Sequence, residues 1–263
     1  MPVPDPVLRI EREGPRARVV LDRPAVRNAF NAELIALLHQ SFVELGADSS
    51  VAVIVLQGEG KVFCGGADIN WMRDALALSE DDNLRDAAAM SDMLRAIDRC
   101  PKPVIARVHG AALAGGTGLC AVADAVVADE TTIFGFTETK LGLIPAVITP
   151  FVLAKIGQSH ARRYFLTGER FGAARAQAIG LVHEVVPADA LDAAVDAIAR
   201  EFDDAGPEAI AAAKALIHKV SAATYADSRD ITARAIAQRR TTPEAQEGFR
   251  AFLERRPATW PRR

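Results

Sequence analysis

The sequence predicts an α/β fold, and three observations carry that reading. The runs VAVIVLQG (51–58) and PVIARVHG (103–110) are continuous, apolar and rich in β-branched residues. That is the pattern of strands covered on both faces in a parallel sheet. Each run leads into a glycine-rich turn, FCGGADI or ALAGGTGL, at which a helix is about to begin. From Pro187 onward the chain is Ala-rich and helical, so a helical C-terminal region follows the α/β core.

The elements follow in order. ARVVLD (17–22) alternates and reads as a strand ended by Pro24. Asn31 caps the next helix, with Leu34, Leu38 and Leu45 near one face. After the strand at 51–58 and the turn at 61–69, a helix covers 82–99 and ends at Pro101 and Pro103. The strand at 103–110 leads through HGAALAGGTGLC to VADAVVADE (122–130) and TTIFGF (131–136). Beyond Pro145 the pattern is helical through ITPFVLAKIG and SHARRYFLTG, and GLVHEVV (180–186) is a last short strand. Pro207 and Pro243 mark helix starts. There is no Gly/Ser linker and no low-complexity segment.

Composition excludes several classes. At 263 residues the chain suits one large domain, or a domain with a small appendage. A net charge of −3 gives no general attraction to nucleic acid. Arg255, Arg256, Arg262 and Arg263 do cluster at the C-terminus, as a solvated tail or a local anion site. Cys64, Cys100 and Cys120 are odd in number and fit no zinc spacing, so they read as small core residues in a reducing cytoplasm. No run approaches the roughly 18 apolar residues of a membrane span, and MPVPDPVLRI lacks an apolar signal core.

The glycines of 110–118 raise the question of what approaches them. GxGxxG is absent, as is the GKS or GKT ending of a phosphate loop. Two such loops on adjacent strands can instead each offer a backbone N–H to one oxygen, or they are tight turns of small residues. Downstream, Glu138 lies in a mostly apolar stretch, TIFGFTETKLGLIP (132–145). A buried glutamate is costly unless it is paired or functional.

These residues resemble the crotonase, or enoyl-CoA hydratase/isomerase, superfamily. FCGGADI is similar to its first signature, HGAALAGGTGLCAVAD to its second and FGFTETKLGLIP to its third. The likeness runs from DRPAVRNAFN (22–31) through FGAARAQAIGLVHEVVP to EGFRAFLERRPATW. It implies a crotonase-like (ClpP/crotonase) spiral of ββα units over residues 1–200, with acyl-CoA binding and catalysis. It implies that the helices of 201–263 serve oligomerisation, as a homotrimer or hexamer, and complete the CoA site. The implied partner is an acyl-CoA thioester, with coenzyme A part of the substrate and no separate cofactor or metal. Ala67 and Gly115 match the two positions whose N–H groups hold the thioester oxygen. On that reading Gly115 is glycine so that a carbonyl can approach, and Gly116 because the turn is tight.

The departure from the family pattern matters too. Hydratases with two glutamates hold water between them. Glu138 matches the second, but Gly118 stands at the first. One carboxylate remains, as in Δ3,Δ2-enoyl-CoA isomerases. ADINWM, GGTGL and LIPAVITPFVLAKIG nevertheless resemble bacterial methylglutaconyl-CoA hydratases, with a sister group acting on carboxygeranoyl-type esters. At the CoA end, Arg27 falls where the family places a basic residue near the phosphates, and Ala29 lies beside the adenine loop. Asp68 and Ile69 flank the pantetheine, and Arg255 and Arg256 match a basic patch able to reach a neighbour's CoA. Trp71 and Met72 line the acyl pocket or pack under a loop. His109 reads as a backbone-ordering or packed neutral histidine. Arg73 and Lys140 are candidates to meet a distal substrate carboxylate. A non-catalytic acyl-CoA-binding trimer is the reading from another class, and Glu138 weighs against it.

Overall fold

The computed structural model describes residues 6–260, so Arg262 and Arg263 lie outside the described residues. Two sheets organise the chain. The larger contains β1 (Leu8–Glu13), β2 (Arg16–Leu21), β3 (Val53–Gly58), β4 (Val104–Val108), β6 (Ala125–Asp129) and β9 (Glu184–Val186), in that spatial order. β1 and β2 are antiparallel and the remaining neighbours are parallel. The smaller sheet holds β5 (Ala111–Leu113), β7 (Ile133–Gly135) and β8 (Arg170–Gly172). Helices α1 (Ala32–Ala47), α2 (Ile69–Ala75), α3 (Glu80–Asp98), α4 (Gly115–Val122), α5 (Thr149–Thr167), α6 (Ala173–Ala178) and α7 (Leu191–Glu201) connect them.

The apolar runs are strands because both their faces are covered. Ile54, Leu56, Val104, Ala106 and Val108 face the main core beneath α1, α3 and α4. The alternate residues Val53, Val55, Ile105 and Val127 pack on the other side against Leu191, Val195 and Ala199 of α7. The Asn31 side chain accepts from the Leu34 N–H at 2.9 Å, which starts α1, and α1 buries Leu34, Ile35, Leu38, Phe42 and Leu45.

Four features depart from the sequence reading. β1 is a strand where the sequence reading places no element, LRIERE being mostly charged. It is an edge strand whose charges are paired: Arg9 with Asp22 at 2.6 Å, and Arg12 with Asp48 at 2.8 Å. The glycine stretch splits into β5 and then α4, with Ala114 between them at φ +50. β8 forms at Arg170–Gly172, antiparallel to β7. The helical stretch beyond Pro145 is interrupted at Gly157, whose φ of +71 kinks α5.

Beyond the core lie α8 (Pro207–Ser221), α9 (Tyr225–Arg240) and α10 (Pro243–Glu254), with Pro207 and Pro243 each in the first turn. Buried Glu244 accepts from the N–H groups of Glu208 and Ala209 at 2.9 and 2.8 Å and pairs with Arg239 at 2.8 Å, which joins all three helices. The expected boundary at 200/201 falls in the last turn of α7. No helix among the described residues is long and apolar enough to cross a membrane.

Candidate active site

A cavity of about 170 Å³ lies between the two glycine loops and the segment after β7. Phe30, Ala67, Trp71, Met90, Ala114, Gly115, Glu138 and the run Ile144–Ile148 form its wall. It thus contains Ala67, Gly115, Glu138 and Trp71, which the sequence singled out, and Glu138 is its one charged side chain.

Two parallel bridges hold the first loop, Cys64 with Ala112 and Phe30 with Ala67. The Phe30 N–H donates to the Gly66 carbonyl at 2.7 Å, and the Asp68 N–H donates to the Phe30 carbonyl at 2.9 Å. In that pattern the N–H of Ala67, between them, turns away from Phe30. It has no acceptor among the described residues. The Asp68 carboxylate caps α2 by accepting from the Asn70 N–H at 2.8 Å and pairs with Arg23 at 2.7 Å. Burial opposes its charge, but these two partners outweigh that and hold the carboxyl below the ordinary carboxylate range. Arg23 also donates to the Ala29 carbonyl. The Asp68 side chain therefore ties down the loop rather than facing the cavity.

The second loop presents Gly115 as the first residue of α4. Thr117 and Gly118 N–H groups donate to the Ala114 carbonyl at 2.9 and 3.2 Å. The planar peptide then sends the Gly115 N–H the opposite way, off the N-terminus of α4. It too lacks a protein acceptor among the described residues. A Cβ on Gly116 would lie 2.5 Å from the Cys64 carbonyl oxygen. Close contact between the two loops, not a left-handed turn, is what requires glycine there. All eight residues of α4 are buried.

Glu138 opens a short 3-10 turn, Glu138–Leu141, after β7. The turn is anchored by Phe136, whose ring meets that of Phe165 at 4.9 Å, by the Thr139 hydroxyl on the Phe165 carbonyl at 2.9 Å, and by the Leu143 N–H on the Glu138 carbonyl. Glu138 Oε2 is buried without a hydrogen-bond partner among the described residues. Burial pushes its pKa above the ordinary glutamate value. An orphan acceptor in an apolar cavity costs stability unless something else fills the need.

Gly118 is on α4 but not on the cavity wall. Ile148 covers it, and any Cβ at 118 would overlap Ile148 Cγ2. Ile148 is the residue that sequence reasoning missed. Its signal is only a helix-start isoleucine, with nothing to say what it covers. The remaining candidates are outside the cavity. Ile69 is 75% exposed, and Arg73 and Lys140 are exposed and do not line the wall. Arg27 is exposed in a left-handed conformation at φ +58, its carbonyl accepting from Gly65, and Ala29 is buried beside it. Arg255 ends α10 in a left-handed conformation, while Arg256 is paired with Glu247 and Glu254 at 2.6 Å. His109 is half-buried, and its Nε2 lies 2.9 Å from the Gly60 carbonyl oxygen, a contact to backbone rather than to the cavity. Cys64, Cys100 and Cys120 are all buried, with their thiols pushed up by burial.

Two spare N–H groups and one carboxylate around an apolar cavity can hold a developing oxyanion and move a proton beside it. Residues 12–263 match the enoyl-CoA hydratase/isomerase family. The crystal structure of an enoyl-CoA hydratase from Shewanella pealeana superposes with a TM-score of 0.93 at 36% identity, covering 97% of this chain and 96% of that one. An enoyl-CoA hydratase/isomerase from Marinobacter aquaeolei gives a TM-score of 0.91 at 36% identity, covering 97% and 98%. The enoyl-CoA hydratase AKT6-1 of Alternaria alternata is 34% identical over 233 residues, 88% of this chain and 76% of that protein. The strand order, the two glycine loops and these matches make the chain a member of the crotonase, or enoyl-CoA hydratase/isomerase, superfamily.

Proposed function

We propose that the chain adds water across the 2,3 double bond of an enoyl-CoA thioester, with Glu138 as its one acid/base group. The observation that carries this is the buried, unpartnered Oε2 of Glu138 in the same cavity as the unpartnered N–H groups of Ala67 and Gly115. The carboxylate takes a proton from water as the water oxygen bonds to C3. The π electrons move toward the thioester oxygen, where the two N–H groups hold the negative charge. Protonated Glu138 then gives its proton to C2, and the thioester carbonyl re-forms. One carboxylate serving as base and then acid delivers H and OH to the same face. A pKa raised by burial suits a group that must act both ways near neutral pH.

Gly118 under Ile148 favours a second reading in which no water is held. There Glu138 removes a proton from C2 of a 3-enoyl-CoA and returns it at C4, an isomerisation. Turnover and product analysis on 2-enoyl-, 3-enoyl- and methylglutaconyl-CoA separate the two. Hydration yields a 3-hydroxyacyl-CoA; isomerisation yields a 2-enoyl-CoA without added oxygen. Glu138→Gln is expected to lose about 10²–10⁴ in rate while retaining acyl-CoA affinity. Equal activity in that variant on every ester would overturn both readings and put the chemistry on another group; a parent that binds the esters and turns over none of them would favour the binding module. The cavity wall carries no Lys, Arg or His, so the second carboxylate of a methylglutaconyl- or carboxygeranoyl-type ester has to point out of it.

The exposed Arg27 suits the CoA phosphates. The assembly is a homotrimer, or a hexamer of paired trimers. α8 and α9 bury no residue in the single chain, and Ile217, Tyr225 and Phe252 are 66%, 97% and 82% exposed. A monomer by light scattering at micromolar concentration would refute this.

A further inference from the structure

The Gly115 N–H owes its direction to a few hydrogen bonds, and one of them comes from a side chain that no catalytic step uses. We propose that Thr117 is a positioning residue: its buried hydroxyl ties the start of α4 to the strands of the small sheet, and so sets the Gly115 N–H against Glu138. This rests on the reading of Ala67 and Gly115 as the oxyanion hole.

Thr117 is fully buried. A threonine inside a helix can bond the carbonyl four residues back in that helix, but Thr117 is the third residue of α4 and has none there. Thr117 instead reaches out of α4, its Oγ1 lying 2.7 Å from the Ala112 carbonyl oxygen on β5 and 3.1 Å from the Gly135 carbonyl oxygen on β7. These strands are neighbours, with Leu113 opposite Gly135. The Gly135 carbonyl also accepts from the Ala114 N–H at 2.8 Å. Two groups of the α4 start, one main-chain and one side-chain, thus converge on the carbonyl three residues before Glu138.

What they hold is a strained residue. Ala114 sits at φ +50 and ψ −119, a region that non-glycine residues rarely adopt and that persists only where neighbours over-determine it. Ala114 ψ orients the peptide that carries the Gly115 N–H. Without the hydroxyl, the start of α4 has one tie fewer to β7, and Ala114 has one restraint fewer against relaxing. Relaxation would turn the donor away from the thioester oxygen without changing the cavity wall.

The test compares Thr117→Val, which keeps the shape, Thr117→Ala, which removes the hydroxyl without a second methyl, and Thr117→Ser, which keeps the hydroxyl. Two readouts are used. One is kcat and KM on 2-butenoyl-CoA. The other is the affinity and near-ultraviolet absorbance of bound acetoacetyl-CoA, whose enolate shares its charge between the thioester and 3-keto oxygens, against saturated butanoyl-CoA. The Val and Ala variants are expected to lose about 10- to 100-fold in kcat, with KM within about twofold. Enolate affinity should fall by a similar factor while butanoyl-CoA affinity holds, and Ser should restore both. Parental kcat and enolate binding in Val and Ala would overturn the role of Thr117 alone. So would an equal loss in Ser, which would mean packing rather than the hydroxyl. If the parent itself binds the enolate no better than butanoyl-CoA, the oxyanion-hole reading falls and the role of Thr117 with it. Should the Val variant fail to fold, Ala against Ser decides the matter.

Discussion

The two loops that frame the cavity offer the same group, one backbone N–H, from opposite kinds of support. Gly115 begins a helix in which every residue is buried, and its loop is packed against Cys64 so closely that Gly116 has no room for a Cβ. Ala67 precedes a helix that buries no residue, and one capped and ion-paired aspartate holds that helix. The difference teaches that the reacting geometry has a fixed side and an adjustable side. Glu138 belongs to the fixed side, since its turn follows β7 and β7 is hydrogen-bonded to the start of α4. On the proposed reading, the wall next to Trp71 is the side that adjusts to the acyl group, while Glu138 and the Gly115 N–H stay in place.

The comparison breaks most sharply at Ala67. Because its N–H has no acceptor among the described residues, Ala67→Pro removes a donor without removing a structural hydrogen bond seen there. The expected loss is about 10²–10³ in kcat, or roughly 2.7–4 kcal/mol, from one missing oxyanion donor. Steady-state kinetics beside a thermal melt checks it. A folded variant with parental turnover means that Ala67 offers nothing to the substrate.

Asp68 is the next largest. Asp68→Asn removes the charge opposite Arg23 and weakens the cap of α2. Side chains only 6% and 15% exposed leave Arg23 in part uncompensated. A loss of about 1–3 kcal/mol is expected, with α2 the first region to exchange its amide hydrogens. The pH dependence has a definite sign. The folded-state pKa lies below the unfolded one, so this stability is present above the ordinary carboxylate range and is lost as pH falls through the depressed value. On the fixed side, α4 amides should stay protected in the same variant. If α2 and α4 lose protection together, the two loops are one unit and the contrast fails.

Much of this frame was legible in the sequence. Buried strands, the Asn31 cap, the proline starts and Glu138 in an apolar stretch each carry a local signal that tertiary structure did not override. Other features were not. β1 is stabilised by ion pairs to residues far along the chain, so its own six residues look polar. The Arg23–Asp68 pair spans 45 positions. Thr117 and Ile148 act through what faces them, and spacing records no facing. Arg73 and Lys140 illustrate the converse: charge near a motif in sequence says nothing about which way it points.

Gly118 sharpens the fixed side further. Restoring a carboxylate with Gly118→Glu alone is expected to fail, because the new Cβ overlaps Ile148. Overpacking of this kind costs about 1–3 kcal/mol and should lower activity on every ester. Gly118→Glu with Ile148→Ala makes room, and hydration of 2-butenoyl-CoA should then exceed that of the Gly118→Glu variant. If the single and double variants hydrate equally well, the α4–α5 contact yields readily and that wall is not fixed.

The smallest effect concerns stability rather than rate, and it tests whether Glu138 is held at a cost. Its folded-state pKa is raised by burial, so protonation favours the folded state. Between the unfolded and folded pKa values the folded protein binds more protons, and stability falls as pH rises through that window. Above it, the buried charge and its unpartnered Oε2 destabilise the fold by a constant amount. Glu138→Gln removes the charge and keeps the shape. It should therefore be nearly inactive yet more stable than the parent at pH 7–8, by about 1 kcal/mol, or about 2–4 °C in Tm for a chain of this size. The gain should shrink as pH drops below the ordinary glutamate range, where the parent is protonated as well. Thermal melts of parent and variant from acid to mildly alkaline pH supply the curve. A gain that is absent at pH 8, or that grows toward acid pH, would mean that Glu138 is solvated in the free protein and that the dry cavity forms only around substrate.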